Sequence, residues 1–415
     1  MARTSRGSDP IATRLGLALV VSCVMGLLLA GLAFPVVGAL GLTAKSGADD
    51  FLALPDDLEA GPPAQRSKIL ASDGTLLATM YVQNRVNVAL SSVPLVTRQA
   101  IIAIEDSRFY AHHGVDFKGI VRAAITNAGA GGVKQGASTL TQQYVKNALI
   151  DAAPDKAGQQ AAKADSIDRK LREARYAIAL ERKLSKDQIL ERYLNIAYFG
   201  HGVYGIGTAA NYYFAKGVNR LNLAQSALLA GMVQNPNTYD PSSKEPSIRA
   251  ATKARRNVVL RRMEDLGFIS DPLRIAAEGL GIFTAIRPVG SGCESPAVQS
   301  PYFCDYVRHI LEDTPAGAAL GLTRNARQRA LFGGGLTIRT TLDPKVQLAA
   351  QTTVDEQVPR NDPSRAAAAI NIVEPGTGNV RAMALDRTYS DKVGAGNTKV
   401  NLATGGKFGF QAGST

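Results

Sequence analysis

Glu105-Asp106-Ser107-Arg108-Phe109-Tyr110-Ala111-His112-His113-Gly114 and, further on, Gly136-Ala137-Ser138-Thr139-Leu140-Thr141-Gln142-Gln143-Tyr144-Val145-Lys146-Asn147 are the stretches from which the rest of the chain is read. The first closes an apolar run from Ala100 to Ile104, which sets Glu105 and Asp106 at the edge of a core. Burial penalises a charged carboxylate, raises its pKa and makes it a usable base near neutral pH. The second stretch is rich in hydroxyls and amides at the start of a helix, and Thr139 with Gln142 has the spacing of a capping box. Thr139, Gln143 and Lys146 fall at i, i+4 and i+7 on one polar, positive face, with Leu140, Tyr144 and Ala148 on an apolar one. That polar face suits an oxygen-rich, anionic ligand. A merely solvated helix face has the same pattern.

The chain has 415 residues, room for two or three domains with substantial cores. Lys and Arg number 47 against 35 Asp and Glu, a formal net charge of +12. Such a balance fits nucleic acid, an anionic membrane surface or a polyanionic substrate. From Leu15 to Ala44 no residue is charged, longer than the apolar part of a cleavable signal peptide and enough to cross a bilayer. Arg3, Arg6 and Arg14 precede it and Asp49 and Asp50 follow. The positive-inside rule therefore predicts a single-pass plasma-membrane anchor with a cytoplasmic N-terminus and the bulk outside. Cys23 falls in that span, whereas Cys293 and Cys304 share a Gly/Pro/Ser-rich stretch. On the oxidising side of a membrane they are expected to pair, with a zinc site as the weaker rival, since none of the 4 histidines neighbours them.

Residues 1–14 read as a cytoplasmic tail, 15–44 as the anchor and 45–66 as a juxtamembrane linker. A hairpin is expected over 67–88 around Asp73-Gly74. Helical periodicity then runs to 270, with examples at 170–183, 186–195, 222–233 and 247–266. Residues 151–166 are small and polar and read as a mobile insertion. Residues 271–345 shift toward Gly, Pro and Ser, as a linking region would. From 346 to 415 strand patterns appear, including a strand, a Pro-Gly turn and a strand over 367–383.

Three further constellations follow in order. Arg169-Lys170-Leu171-Arg172-Glu173 puts both cations on the face of Glu173 at i, i+3 and i+4, and alone reads as a structural ion pair. Tyr193 and Asn195 stand in Leu190-Glu191-Arg192-Tyr193-Leu194-Asn195, before Tyr198-Phe199-Gly200. Ala227 to Pro236 and Arg255-Arg256-Asn257 read mostly as packing.

Taken together, Glu-Asp-x-x-Phe-x-x-His-x-Gly, Gly-x-Ser-Thr-x-Thr-Gln-Gln-x-x-Lys-Asn, Arg-Lys-x-x-Glu and the two later sets resemble the five motifs of the family 51 glycosyltransferases. These are the peptidoglycan-polymerising domains of class A penicillin-binding proteins. The resemblance covers roughly 67–270. It implies a mainly α, lysozyme-like fold after the transmembrane helix, and polymerisation of lipid II into β-1,4-linked glycan with release of undecaprenyl diphosphate. It implies Glu105 as base for the acceptor hydroxyl, and Glu173 with Lys146, Arg169 and Lys170 at the donor's diphosphate, helped by Mg²⁺ or Mn²⁺ but with no obligatory cofactor. Asp106, Phe109, His112, Ser138, Thr139, Gln142, Gln143, Asn147, Tyr193 and Asn195 would complete the substrate site. Cell-wall synthesis or division proteins are conceivable partners, and the metal ligands are unknown.

Residues 335–344 and Gly409 to Thr415 resemble the start of a penicillin-binding α/β transpeptidase domain. There a serine in Ser-x-x-Lys is the nucleophile and its lysine helps activate it. Ser414 is the candidate, and the chain stops at Thr415, two residues short of that lysine, so the site is incomplete in this chain. A glycan-cleaving lysozyme-like enzyme is a rival, disfavoured because cleavage leaves no diphosphate for Lys146, Arg169 and Lys170 to hold. A basic membrane-tethered scaffold or nucleic-acid binder is another, disfavoured by the absence of Trp and by cations clustered with carboxylates.

Overall fold

The computed structural model describes residues 51–58, 61, 63–122, 138–153, 156–294, 300–360, 362–364, 366–394 and 396–405, and positions 19, 22, 25, 45 and 49. The span expected over 15–44 lies, three of those positions apart, outside the described residues, and so does Ser414. Among the described residues no helix is long and apolar enough to cross a membrane.

The hairpin forms as its turn dictates. Strands β1 (Ser67–Leu70) and β2 (Leu76–Met80) pair antiparallel, Gly74 takes φ 90°, and Asp73 accepts the Thr75 amide at 2.8 Å. A short β3 (Asn84–Arg85) follows, then α1 (Leu95–Glu105), α2 (Leu140–Ala152), α3 (Lys156–Lys163), α4 (Ile167–Lys183) and α5 (Lys186–Ile196). Next come β4 (Val203–Tyr204), parallel to β3, and α6 (Ile206–Phe214), α7 (Leu223–Met232), α8 (Pro246–Asp265) and α9 (Asp271–Gly279). Capping boxes start three of these helices, with Thr139 and Gln142 on α2, Ser185 and Gln188 on α5, and Asn222 and Gln225 on α7. The helix α7 lies at the centre of this unit and packs on both α1 and α8, which also meet each other. Its Ala227, Ala230 and Gly231 let the neighbours approach, and Leu228 and Leu229 fill the remaining space. Burying side chains of that size stabilises by roughly 1.5–3 kcal/mol each.

Three expectations change. Residues 156–163 form α3 and pack on α2, because Ala, Gln and Lys favour a helix once a neighbour covers one side. The linking region is folded, with α10 (Pro301–Asp313), α11 (Arg324–Gly333) and β5 (Thr337–Arg339). Cys293 and Cys304 are disulfide-bonded there, both buried. The hairpin, thirdly, is not part of the helical core. β1 takes β5 as a parallel partner, and Ile69, Leu77 and Met80 pack with Phe303, Leu331 and Leu385 in a second core. Beyond lie α12 (Pro344–Gln357) and the antiparallel pair β6 (Ala369–Val373) and β7 (Val380–Leu385), joined at Gly376 with φ 82°, as the Pro-Gly turn requires.

Candidate active site

The first two motifs are stitched together by hydrogen bonds. α1 ends at Glu105, and Asp106 leaves the helical conformation with φ −158°. That turn lets the Asp106 carboxylate accept the Leu140 amide at 3.0 Å, which places a negative charge on the N-terminus of α2, where the helix dipole favours it. The same oxygen lies 2.9 Å from His112 Nε2. Thr139 Oγ1 donates to the Gly114 carbonyl at 2.6 Å. Gly114 takes φ +80°, and a Cβ there would lie 2.7 Å from the Ile178 backbone nitrogen of α4, so only glycine fits.

Glu105 is held by this frame. Gln143 Nε2 donates to its Oε2 at 2.8 Å, and the buried Tyr193 hydroxyl donates to Gln143 Oε1 at 3.1 Å. Because an ionised carboxylate can only accept, the amide nitrogen faces Glu105 and the amide oxygen is left to the phenol. Burial pushes the Glu105 pKa up, and the Asp106 charge adds to it. The Gln143 hydrogen bond and the attraction of Arg255 pull the other way. Burial, and then the Glu105 charge, push the Tyr193 phenol up as well, so it stays a donor.

Glu105 opens into a cleft of about 720 Å³ whose walls include Ser138 and Thr139, with Gln234, Arg255 and Arg262 also lining it. Arg255 is positioned by Gly231, whose carbonyl accepts Arg255 Nε at 3.2 Å. Arg262 donates to Ser107 Oγ at 3.2 Å. The second set expected to be packing thus divides. Arg256 is 1% exposed and closes the end of α9 through the Leu280 and Glu278 carbonyls at 2.7 and 2.9 Å, whereas Arg255 lines the cleft. The spacing of Arg255, Val258 and Arg262 along one face of α8 was the available signal.

The third motif forms a separate polar centre along α2. The buried Arg169 and Glu173 make an ion pair, and Arg169 Nε also donates to the Ala164 carbonyl. Lys170 pairs with Asp165 at 2.9 Å. Burial pushes the Glu173 pKa up, opposed first by Arg169 and then by Lys146 and Lys170. Lys146 stands one turn beyond Gln143, so α2 carries a contact to Glu105 and a cation toward Glu173 on neighbouring turns. Asn147 is partly buried on the same helix.

Three expected substrate contacts are turned inward, the buried Tyr193 and two others. Phe109 is 0% exposed, with Lys186 Nζ 4.6 Å above its ring, because the apolar ring fills the core under the Glu105 turn. Asn195 is fully occupied elsewhere. Its Oδ1 accepts the Val88 amide and its Nδ2 donates to the Val88 and Glu191 carbonyls, each at 2.9 Å. Asp106, His112 and Gln142 serve the frame, the last through the α2 capping box.

Residues 73–264 match the transglycosylase family model. Penicillin-binding protein 1F of Bacillus subtilis is 35% identical over 79% of this chain and 42% of its own length. Penicillin-binding protein 1A of Mycolicibacterium smegmatis is 36% identical over 83% of this chain and 41% of its own. The chain thus spans less than half the length of either relative. A crystal structure of penicillin-binding protein 1A from Haemophilus influenzae aligns with 72% of this chain and 30% of that one at 21% identity and a TM-score of 0.37, and the assignment rests on the sequence matches. By those matches the chain is similar to penicillin-binding proteins over about four fifths of its own length, and the transglycosylase match falls on residues 73–264.

Proposed function

We propose that the helical unit is a peptidoglycan glycosyltransferase that joins lipid II units into β-1,4-linked glycan strands during cell-wall synthesis. The observation that carries this reading is the Glu105 carboxylate, raised in pKa by burial and aimed by Gln143 into a cleft that Arg255 and Arg262 also line. Glu105 takes the proton from the 4-hydroxyl of the acceptor sugar. The freed oxygen pair attacks the anomeric carbon of the donor, the bond to the α-linked diphosphate breaks, and configuration inverts. One base is enough for that displacement, with no covalent glycosyl-enzyme. Lys146, Arg169 and Lys170 around Glu173 supply the positive charge that the leaving diphosphate needs. Among the described residues no three His, Cys, Asp or Glu side chains converge as a metal cage. Mg²⁺ or Mn²⁺ would add positive charge at the leaving diphosphate.

The uncharged segment 15–44 supports attachment to the plasma membrane, where the lipid-linked substrate resides. The cationic centre beside Glu173 favours transfer over glycan cleavage, which releases no diphosphate. Incubating the detergent-solubilised chain with labelled lipid II tests the assignment. Polymer is the expected product, and shortened glycan from preformed strands would instead identify a cleaving enzyme.

A further inference from the structure

A second cavity of about 620 Å³ is lined by Ser91 and Ser92, a few residues before α1 begins, and so lies toward the other end of that helix from Glu105. α1 has 11 residues, which at 1.5 Å per residue separates the two ends by about 16 Å. Arg66, Lys216 and Arg287 come to this cavity from three distant segments, and no Asp or Glu lines it. Among the described residues none of the three is in a salt bridge. Arg66 Nε is buried with no hydrogen-bond partner, and the guanidinium reaches only the Asn84 side-chain oxygen, at 3.4 Å. A half-buried cation with no anion carries a partly uncompensated desolvation cost, which a bound anion would offset.

The walls say more than charge does. Ser91, Ser92 and Asn219 present exposed hydroxyls and an amide, and Tyr212, stacked on His201 with centroids 5.7 Å apart, adds an aromatic wall. The cavity is the size of sites that hold ligands of several hundred daltons, well beyond a lone phosphate. Its rim is the strap between the two cores. Ala285 and Arg287 amides donate to the Tyr213 and Tyr212 carbonyls at 2.8 Å, and the Thr79 side chain reaches the Gly290 carbonyl at 2.5 Å.

We propose that this cavity is a second ligand site that takes an acidic saccharide, its carboxylate or phosphate on Arg66, Arg287 and Lys216 and its hydroxyls on Ser91, Ser92 and Asn219. The proposal requires no turnover and stands apart from the polymerase reading. Calorimetric titration of the 415-residue chain in detergent tests it, with a tetrasaccharide of alternating glucuronic acid and N-acetylglucosamine, the neutral N-acetylglucosamine tetrasaccharide, and inorganic phosphate. The acidic tetrasaccharide should bind, the neutral one at least about tenfold more weakly, since it lacks the charge-assisted hydrogen bonds to the three cations. Arg66→Gln should weaken binding about tenfold, and so should Arg287→Gln and Lys216→Gln, which alter surface positions and keep the test open if Arg66→Gln fails to fold. Equal binding of both tetrasaccharides overturns the proposal, and so does binding unchanged in all three variants. Loss in Arg262→Gln to the same degree would assign the ligand to the Glu105 cleft instead. Binding of phosphate alone would make this a small-anion site and end the saccharide assignment.

Discussion

Gln143 Nε2 lies 2.8 Å from Glu105 Oε2, and this single contact ties the carboxylate at the end of α1 to the helix whose next turn carries Lys146. The ionised carboxylate can only accept, so the amide keeps its nitrogen toward Glu105 and its oxygen toward the Tyr193 hydroxyl. Its role is to aim a carboxylate that burial would otherwise tend to protonate.

Glu105→Gln is expected to remove polymerisation by roughly 10²-fold or more while the fold persists. Burial raises the folded-state pKa, so ionising Glu105 costs the folded protein stability as pH rises through that value. The variant should therefore melt no lower than the parent at neutral pH. Residual activity above a few per cent in a lipid II assay would remove Glu105 from the role of base.

Gln143→Leu deletes a hydrogen bond that lowers the Glu105 pKa. The acid limb of the kcat/KM profile should then move to higher pH, since the base must be ionised to act. A profile that falls in height without moving along the pH axis would make Gln143 a packing residue.

Glu173→Gln should reduce turnover severely, because it leaves the buried Arg169 without its carboxylate and rearranges the cationic centre. Donor affinity and turnover measured together decide the matter. If neither changes, Glu173 is only an ion-pair partner in the core.

Gly114→Ala should destabilise the protein by more than about 2 kcal/mol, combining a left-handed backbone with a clash against α4. Chemical denaturation measures it. A shift of a few tenths would mean that the α4 backbone yields more readily than its packing suggests.

Reduction of Cys293–Cys304 should cost about 2–3 kcal/mol by the loop-closure estimate and act on the second core, where both cysteines are buried. Mass spectrometry of non-reduced peptides from extracytoplasmic material establishes the bond, and free thiols at both positions would exclude it.

The helices of the first unit, their caps and the Asp-Gly hairpin were legible in the sequence because each rests on local chemistry. A capping box such as Thr139 with Gln142 lies within one turn, and an apolar face such as Leu140, Tyr144 and Ala148 repeats within two. Motif order likewise marked Glu105 and Glu173. Only the tertiary structure decided what those local patterns meet. It set Asp106 on the amide of Leu140, turned Phe109 and Asn195 inward, and brought Arg255 into the cleft while Arg256 went to the end of α9. It also gave β1 its parallel partner β5, far along the chain, and so moved the hairpin into the second core. Such pairings depend on which distant surface offers an unpaired strand edge or an unfilled space. Nothing in the spacing of one segment encodes that.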